Sequence, residues 1–294
     1  MRLFQVRDAA GAIRLGVLRD GQALVLRAAQ DGVATTLDLF QAQEERGLEP
    51  RPWLEWAERA GRLAAIDWDD LAAGRRARLG LPVDPPEVWG AGVTYRRSAD
   101  FREEGTGIYD RVYSAERPEL FFKATASRCV AHGEPIGRRR DSSFTAAEPE
   151  IAIVLGRSGA ILGFALANDV SAWDIERDNP LYLPQSKVYT GCFAFGPTIV
   201  TPDEIPDPYA IALRCRVLRG EREVFAGEAT TGQLKRRFEE LVAWLARSNE
   251  VRTGTVLSTG TGIIQPLGSG LEEGDVVVLS SPELGELRNP VALV

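Results

Sequence analysis

The stretch TAAEPEIAIVLG, residues 145–156, places two glutamates two positions apart immediately before an apolar run. IAIVLG (151–156) has the β-branched, uncharged character of a strand bound for the core. Side chains on a strand alternate with period two, so Glu148 and Glu150 project to one face. Like charges placed this way repel unless something positive lies between them. Pro149 lacks a ladder donor and fits an edge or a strand entry, where a site can open. Asp169 ends a second expected strand, ILGFALAND (161–169), from which it closes a third side. Three carboxylates with no His or Cys beside them suit a hard cation, Mg²⁺ or Mn²⁺ first, Ca²⁺ next and zinc last. The plainer alternative is a solvated acidic strand start and an unrelated Asp cap.

Working outward from this strand, EVWGAGVTY, ELFFKAT, FAFGPTIV, IALRCRVL, TVLSTGTGII and DVVVLSS read as further strands punctuated by Gly and Pro. One helix is expected over TGQLKRRFEELVAWLARS (231–248), with Leu234, Phe238, Leu241, Val242 and Leu245 at helical spacing. Toward the N-terminus, LFQVRD, AIRLGVLRD and QALVLRA predict a small antiparallel sheet. Helices follow at LDLFQAQEERG and at PWLEWAERAGR, the latter opened by Pro52 in its first turn. LPVDPP (81–86) continues neither structure and marks a boundary between a small α+β unit, 1–84, and a larger, mostly β unit, 85–294. Strands are not regularly separated by helices, and no phosphate-binding glycine motif is present, which disfavours a doubly wound nucleotide fold and an organic cofactor.

At 294 residues and 44% apolar content the chain can bury a sizeable core. A net charge of −7 argues against a nucleic-acid partner, and the basic run GRRR (137–140) reads as a solvated turn rather than an anion site. No apolar run is long enough to span a bilayer, and MRLFQVRDAA lacks the apolar core of a signal peptide; a cytoplasmic protein is expected. Cys129, Cys192 and Cys215 are widely spaced and odd in number, which fits small buried hydrophobes rather than disulfides or a thiolate zinc site.

The single histidine, His132, and the absence of a GxSxG elbow leave little room for a serine triad. His132 is either a structural polar group or a proton donor at the mouth of a site. Of 35 basic residues only Lys123, Lys187 and Lys235 are lysines. Where arginine is so dominant, a retained lysine points to a place that needs a compact amine able to lose a proton.

FFKATASRCVAHGEPI, EPEIAIVLG, NDVSAWD, LPQSK, CFAFGPTIV and STGTG together resemble, in order and spacing over about residues 87–294, the fumarylacetoacetate hydrolase family. The resemblance implies a twisted β-sandwich roll that assembles as a homodimer or a dimer of dimers. It implies that Glu148, Glu150 and Asp169 hold Mg²⁺ or Mn²⁺, that Lys187 reaches the substrate near the metal, and that the turn Thr259-Gly260-Thr261 contacts a substrate carboxylate.

Hydrolases and decarboxylases of the family carry a water-activating His and Glu in a mobile segment; here GVTYRRSADFREEG has Ser98 near the His position. Trp173 stands where many decarboxylase-type members have Arg. VTYRRS, RVYSAERPELFFKAT, SRCVAHGEPI and NPLYLPQSK are instead similar to the dehydratases of 2-keto-3-deoxy sugar acids. That resemblance implies a 2-keto acid substrate, such as a 2-keto-3-deoxypentonate converted to 2,5-dioxopentanoate. A C3 proton is removed, the cation stabilises the enolate, the C4 hydroxyl leaves, and proton shifts then give 2,5-dioxopentanoate. Lys187 is then the proton-transfer or substrate-polarising group, an amine whose pKa a nearby cation would depress, or else an electrostatic clamp. Glu116 and Glu119 are partner acid or base, or solvated turn charges. Lys123 and Ser127 line the pocket or hold its loop, and Ser98 to Val112 forms a lid. Acylpyruvate hydrolysis, oxaloacetate decarboxylation and isomerisation of a dienoate diacid are the competing reactions on the same scaffold.

Overall fold

The structure is a computed structural model that describes every residue except 9, 10, 76, 97, 99–107 and 158. The expected lid falls largely outside the described residues. The strand that carries Glu150 runs Pro149–Leu155, every residue of it buried. It lies between Ile161–Asp169 and Thr255–Ser258 in a twelve-stranded sheet. Its two faces feed two cores, as the period-two rule requires. Ile151, Ile153 and Leu155 join a cluster with Leu213, Val217, Val277 and Leu279 of a second, five-stranded sheet, while Ala152 and Val154 pack with Leu39, Phe40 and Leu54 of the N-terminal helices. Two sheets clasping one apolar core make the mostly β, sandwich-type α+β fold that was expected.

The large sheet does not stay flat. Along it, Ile161–Asp169 is followed by Pro149–Leu155, Thr255–Ser258, Val88–Gly92 and Glu119–Ala124. Four such steps span roughly 19 Å in a flat sheet. Yet Lys123 Nζ, from the last of these strands, lies 2.5 Å from Asp169 Oδ1 of the first. The sheet must therefore curl, and the curl brings its distant strands around one site.

The N-terminal strands Arg2–Arg7, Ile13–Arg19, Gln22–Leu26 and Leu63–Asp67 continue the same sheet, because Arg2 and Leu3 pair with Val200 and Ile199. The sheet thus runs across residues 81–86, although the N-terminal unit also owns a small core of Phe4, Val6, Val25 and Leu71. Its helices run Thr36–Arg46 and Pro50–Arg59, so Pro50 rather than Pro52 takes the first helical position.

The late helix is shorter than its periodicity predicts, spanning Phe238–Leu245. Thr230 and Gln233 close a capping box on a 3₁₀ turn, Leu234 bridges to Tyr95, and the Lys235 N–H donates to the Thr94 carbonyl. Those tertiary pairings outweigh helix propensity before residue 238. The strands Leu63–Asp67, Arg222–Thr230 and Gly285–Leu293 were not among those expected. No helix among the described residues is long and apolar enough to cross a membrane.

Candidate active site

Glu148, Glu150 and Asp169 offer carboxylate oxygens that all lie within 4.8 Å of one another, and all three side chains are buried. Backbone pairing fixes this arrangement. The Asp169 N–H donates to the Glu148 carbonyl, and the Glu148 N–H donates to Asn168 Oδ1 at 3.0 Å. The two strands are thereby locked in register at the point where their acidic ends meet.

Each carboxylate has its own support. Glu148 Oε1 accepts from Trp173 Nε1 at 2.6 Å and from Lys187 Nζ at 2.8 Å. Lys187 Nζ also donates to Asp169 Oδ2 at 3.1 Å and to Ser171 Oγ at 2.6 Å. Lys123 Nζ pairs with Asp169 Oδ1 and donates to the Val170 carbonyl at 2.9 Å. Glu150 Oε2 accepts from Ser258 Oγ at 2.5 Å and from the Gly260 N–H at 2.7 Å. Burial, together with repulsion from Asp169 and Glu148, pushes the Glu150 carboxyl up to about 8.

These observations test whether the residues fit a divalent cation. Two ammonium groups, Lys123 and Lys187, stand against three buried carboxylates. A low-dielectric pocket tolerates such a set only with added positive charge or a bound proton. The donors are hard oxygens, clustered and held by neighbours, and they fit Mg²⁺ or Mn²⁺ better than a thiophilic metal.

The carboxylates open into a narrow, tightly filled cavity, also lined by Glu119, Phe121, Glu176, Leu183, Lys187 and Gly260. Two larger surface hollows lie elsewhere and contain none of the three carboxylates. The chemistry of its lining, rather than its size, marks this cavity as the site. Lys187 sits 5.2 Å from the centroid of the Phe121 ring. Glu119 reaches the cavity because its carboxylate occupies the space beside Gly92, where a Cβ would come within 2.0 Å of Glu119 Oε2.

The expected residues divide accordingly. Glu148, Glu150, Asp169, Lys187, Glu119, Gly260 and Thr261 line the cavity, and fully buried Lys123 stands behind Asp169. Thr259 turns its hydroxyl to the Ile151 carbonyl at 2.7 Å, holding the turn rather than facing the cavity. Glu116 is solvent-exposed, and its carbonyl accepts from Arg236. Ser127 is exposed, its hydroxyl 3.0 Å from that of Thr125. His132 lies in a different hollow with Trp68, Thr198 and Glu286, where its Nδ1 accepts from the Arg288 N–H at 3.3 Å. Ser98 is buried, its N–H donating to the Tyr95 carbonyl, and does not line the cavity. Glu116, Ser127 and His132 are thus not brought to the carboxylates. Glu116 follows the end of a helix on the surface, Ser127 lies in an exposed turn, and His132 belongs to the strand connection facing the N-terminal unit.

Glu176, Ser171 and Ser258 were missed. For Glu176 the available signal was its spacing of three from Trp173, which puts both on one side of the helix Trp173–Asp178. Trp173 was noted in sequence as a replacement for Arg, and the structure gives it a function, orienting Glu148.

A twisted β-sandwich carrying a buried three-carboxylate centre defines an oxygen-ligand, metal-type active site. The chain belongs to the fumarylacetoacetate hydrolase family, whose model "Fumarylacetoacetate (FAA) hydrolase C-terminal" matches residues 87–292. It is 45% identical over 240 residues to the 2-dehydro-3-deoxy-D-arabinonate dehydratase of Saccharolobus solfataricus, covering 78% of this chain and 80% of that protein. A solved structure of 2-keto-3-deoxy-D-arabinonate dehydratase complexed with magnesium and 2,5-dioxopentanoate matches with a TM-score of 0.85 and 38% identity, over 100% of this chain and 99% of that one. The mitochondrial oxaloacetate tautomerase Fahd2a of Rattus norvegicus is 32% identical over 221 residues, 70% of this chain and 66% of that protein.

Proposed function

We propose that this chain is a Mg²⁺-dependent dehydratase that converts a 2-keto-3-deoxypentonate to 2,5-dioxopentanoate. The observation that carries the reading is the buried triad of Glu148, Glu150 and Asp169, with Lys187 Nζ bonded to both Glu148 and Asp169. The likeness in sequence and fold to dehydratases of such acids supports the substrate.

Glu148, Glu150 and Asp169 would hold the cation, with Mn²⁺ or Ca²⁺ as substitutes. When bound, it supplies a Lewis acid toward the carboxylate and C2 ketone of the substrate. Lys187 and Glu119 face the same cavity and are the groups we assign to proton movement: one proton leaves C3, one joins the departing C4 hydroxyl to form water, and proton shifts from C5 and its hydroxyl to C3 and C4 then complete the 2,5-dioxo product. Ser171 accepts from Lys187 Nζ and fixes where that amine points. Gly260 and Thr261 offer the turn for the substrate carboxylate, while Phe121 and Leu183 keep water from the reacting carbons. Dehydration needs no activated water, which agrees with Ser98 standing where family hydrolases place a histidine.

Homodimeric or paired-dimer assembly and a cytoplasmic setting belong to the same proposal; light scattering on the purified protein tests the first. The reaction itself is tested by offering 2-keto-3-deoxypentonates, oxaloacetate and an acylpyruvate to the Mg²⁺-loaded enzyme. Formation of an aldehyde without CO₂ or pyruvate from the first supports dehydration. Turnover of oxaloacetate or an acylpyruvate alone would support decarboxylation, isomerisation or hydrolysis on this scaffold.

A further inference from the structure

Beyond the three clustered carboxylates, the cavity has two more, and they come from different elements. Glu119 starts the strand Glu119–Ala124, three places along the sheet from Pro149–Leu155. Glu176 lies on the short helix Trp173–Asp178 and is 7% exposed. The position of that helix is set at its first residue, because Trp173 is bonded to Glu148. Glu176, about one turn later, is carried to the cavity as a consequence. Both side chains line the same space as Lys187.

A carboxylate is an acceptor-only group with about four acceptor sites, so even one that already has a partner takes a further O–H donor. A second carboxylate on a ligand brings only acceptors and like charge to the same place, and such juxtapositions are strongly disfavoured in a confined site. Keto acids that share a 2-oxo carboxylate head differ in the tail attached to it. A sugar-derived acid presents hydroxyl donors, whereas oxaloacetate and the dienoate diacids present a second carboxylate.

We propose that Glu176, with Glu119, determines specificity by accepting hydrogen bonds from the hydroxylated tail of the substrate and by rejecting tails that end in a carboxylate. The inference rests on the keto-acid reading above and selects, within that reading, hydroxylated monoanions over diacids. It assigns Glu176 a task separate from holding the cation and separate from the proton transfers given to Lys187 and Glu119.

The test compares pyruvate, a monoanion with the keto-acid head alone, with oxaloacetate, its dianionic counterpart. Binding of each to the Mg²⁺-loaded full-length enzyme is measured by calorimetry for wild type and Glu176→Gln. KM and kcat for a 2-keto-3-deoxypentonate are measured in parallel. The expected result is a gain in oxaloacetate affinity relative to pyruvate on the order of tenfold in the variant, with a raised pentonate KM. Retained pyruvate binding shows that the site is assembled, and Glu176→Ser is read in the same way if Glu176→Gln does not bind pyruvate. An unchanged oxaloacetate-to-pyruvate ratio in the variant that binds pyruvate overturns the inference, even when pentonate dehydration proceeds. A shifted ratio in a protein whose wild type dehydrates no pentonate leaves Glu176 as a filter of ligand tails and overturns the dehydratase reading instead.

Discussion

The Trp173 indole N–H donates to Glu148 Oε1 over 2.6 Å, with both side chains buried. The bond aims a carboxylate that would otherwise be free to turn toward Lys187 alone. Partners behind a metal ligand typically matter 10- to 100-fold for affinity or activity. Trp173→Phe keeps most of the ring volume and deletes the donor, so Mg²⁺ affinity should fall by about 10- to 100-fold. Calorimetric titration of the variant with Mg²⁺, alongside circular dichroism to show an intact fold, checks this.

Glu150 gives the metal-free protein a pH dependence of definite sign. Its folded-state carboxyl is raised to about 8 from an ordinary 4.5, chiefly by burial and then by Asp169 and Glu148. The folded chain therefore holds this proton more tightly than the unfolded chain. Its stabilising effect is fully present below the ordinary value and is lost as pH rises toward about 8. Thermal unfolding in chelator should show Tm decreasing from about pH 5 to about pH 8, with saturating Mg²⁺ reversing the loss at the upper end. Glu150→Gln should flatten the metal-free profile, and an equal slope in the variant would contradict this assignment.

Gly260 combines a positive φ of 93° with a close approach: an added Cβ would come within 1.9 Å of Thr94 Oγ1 and 2.8 Å of the Ala91 carbonyl. Its N–H is also a donor to Glu150. Gly260→Ala should cost about 1–3 kcal/mol in backbone strain alone, and should weaken cation binding as well. Gly268 has a φ of +85° and open space around it, so Gly268→Ala is the control for strain without the site. Denaturant unfolding and Mg²⁺ titration of both variants separate the two effects.

His132, the chain's single histidine, offers a direct check on what sequence reading could not place. Burial lowers its pKa below the ordinary 6.5. The folded protein thus holds that proton less tightly, and stability contributed by the neutral ring is present above pH 6.5 and declines as pH falls below it. The lone imidazole signal in a proton NMR titration should move at a pH below 6.5. His132→Gln should reduce this acid sensitivity and leave the turnover of a 2-keto-3-deoxypentonate intact; a loss of kcat would return His132 to the chemistry.

The carboxylate triad was legible because its logic is local. Glu148 and Glu150 obey strand alternation beside an apolar run, and Asp169 ends the next strand, which hydrogen-bonds to the first. Lys123 and Lys187 were legible through rarity, since a chain so rich in arginine retains only three lysines. Ser258 and Glu176 were not, because their importance depends on the curl of the sheet and on where Trp173 pins its helix. Glu116 and Glu119, three residues apart, looked equivalent in sequence, yet only Glu119 enters the strand paired with Gly92. Arg222–Thr230 escaped notice because it is an edge strand with charges on its exposed positions, so it lacks an apolar signature. Residues 231–237 showed the reverse, a helical pattern overridden by pairing with Thr94 and Tyr95.

The most direct measurement is an NMR time course of metal-free enzyme with a 2-keto-3-deoxypentonate, followed through the addition of Mg²⁺, with Glu148→Gln run beside it. No change is expected before the cation, 2,5-dioxopentanoate should appear after it, and none should form in the variant. Equal product formation without the cation, or from Glu148→Gln with it, would contradict the assignment of Glu148, Glu150 and Asp169 as the centre of the reaction.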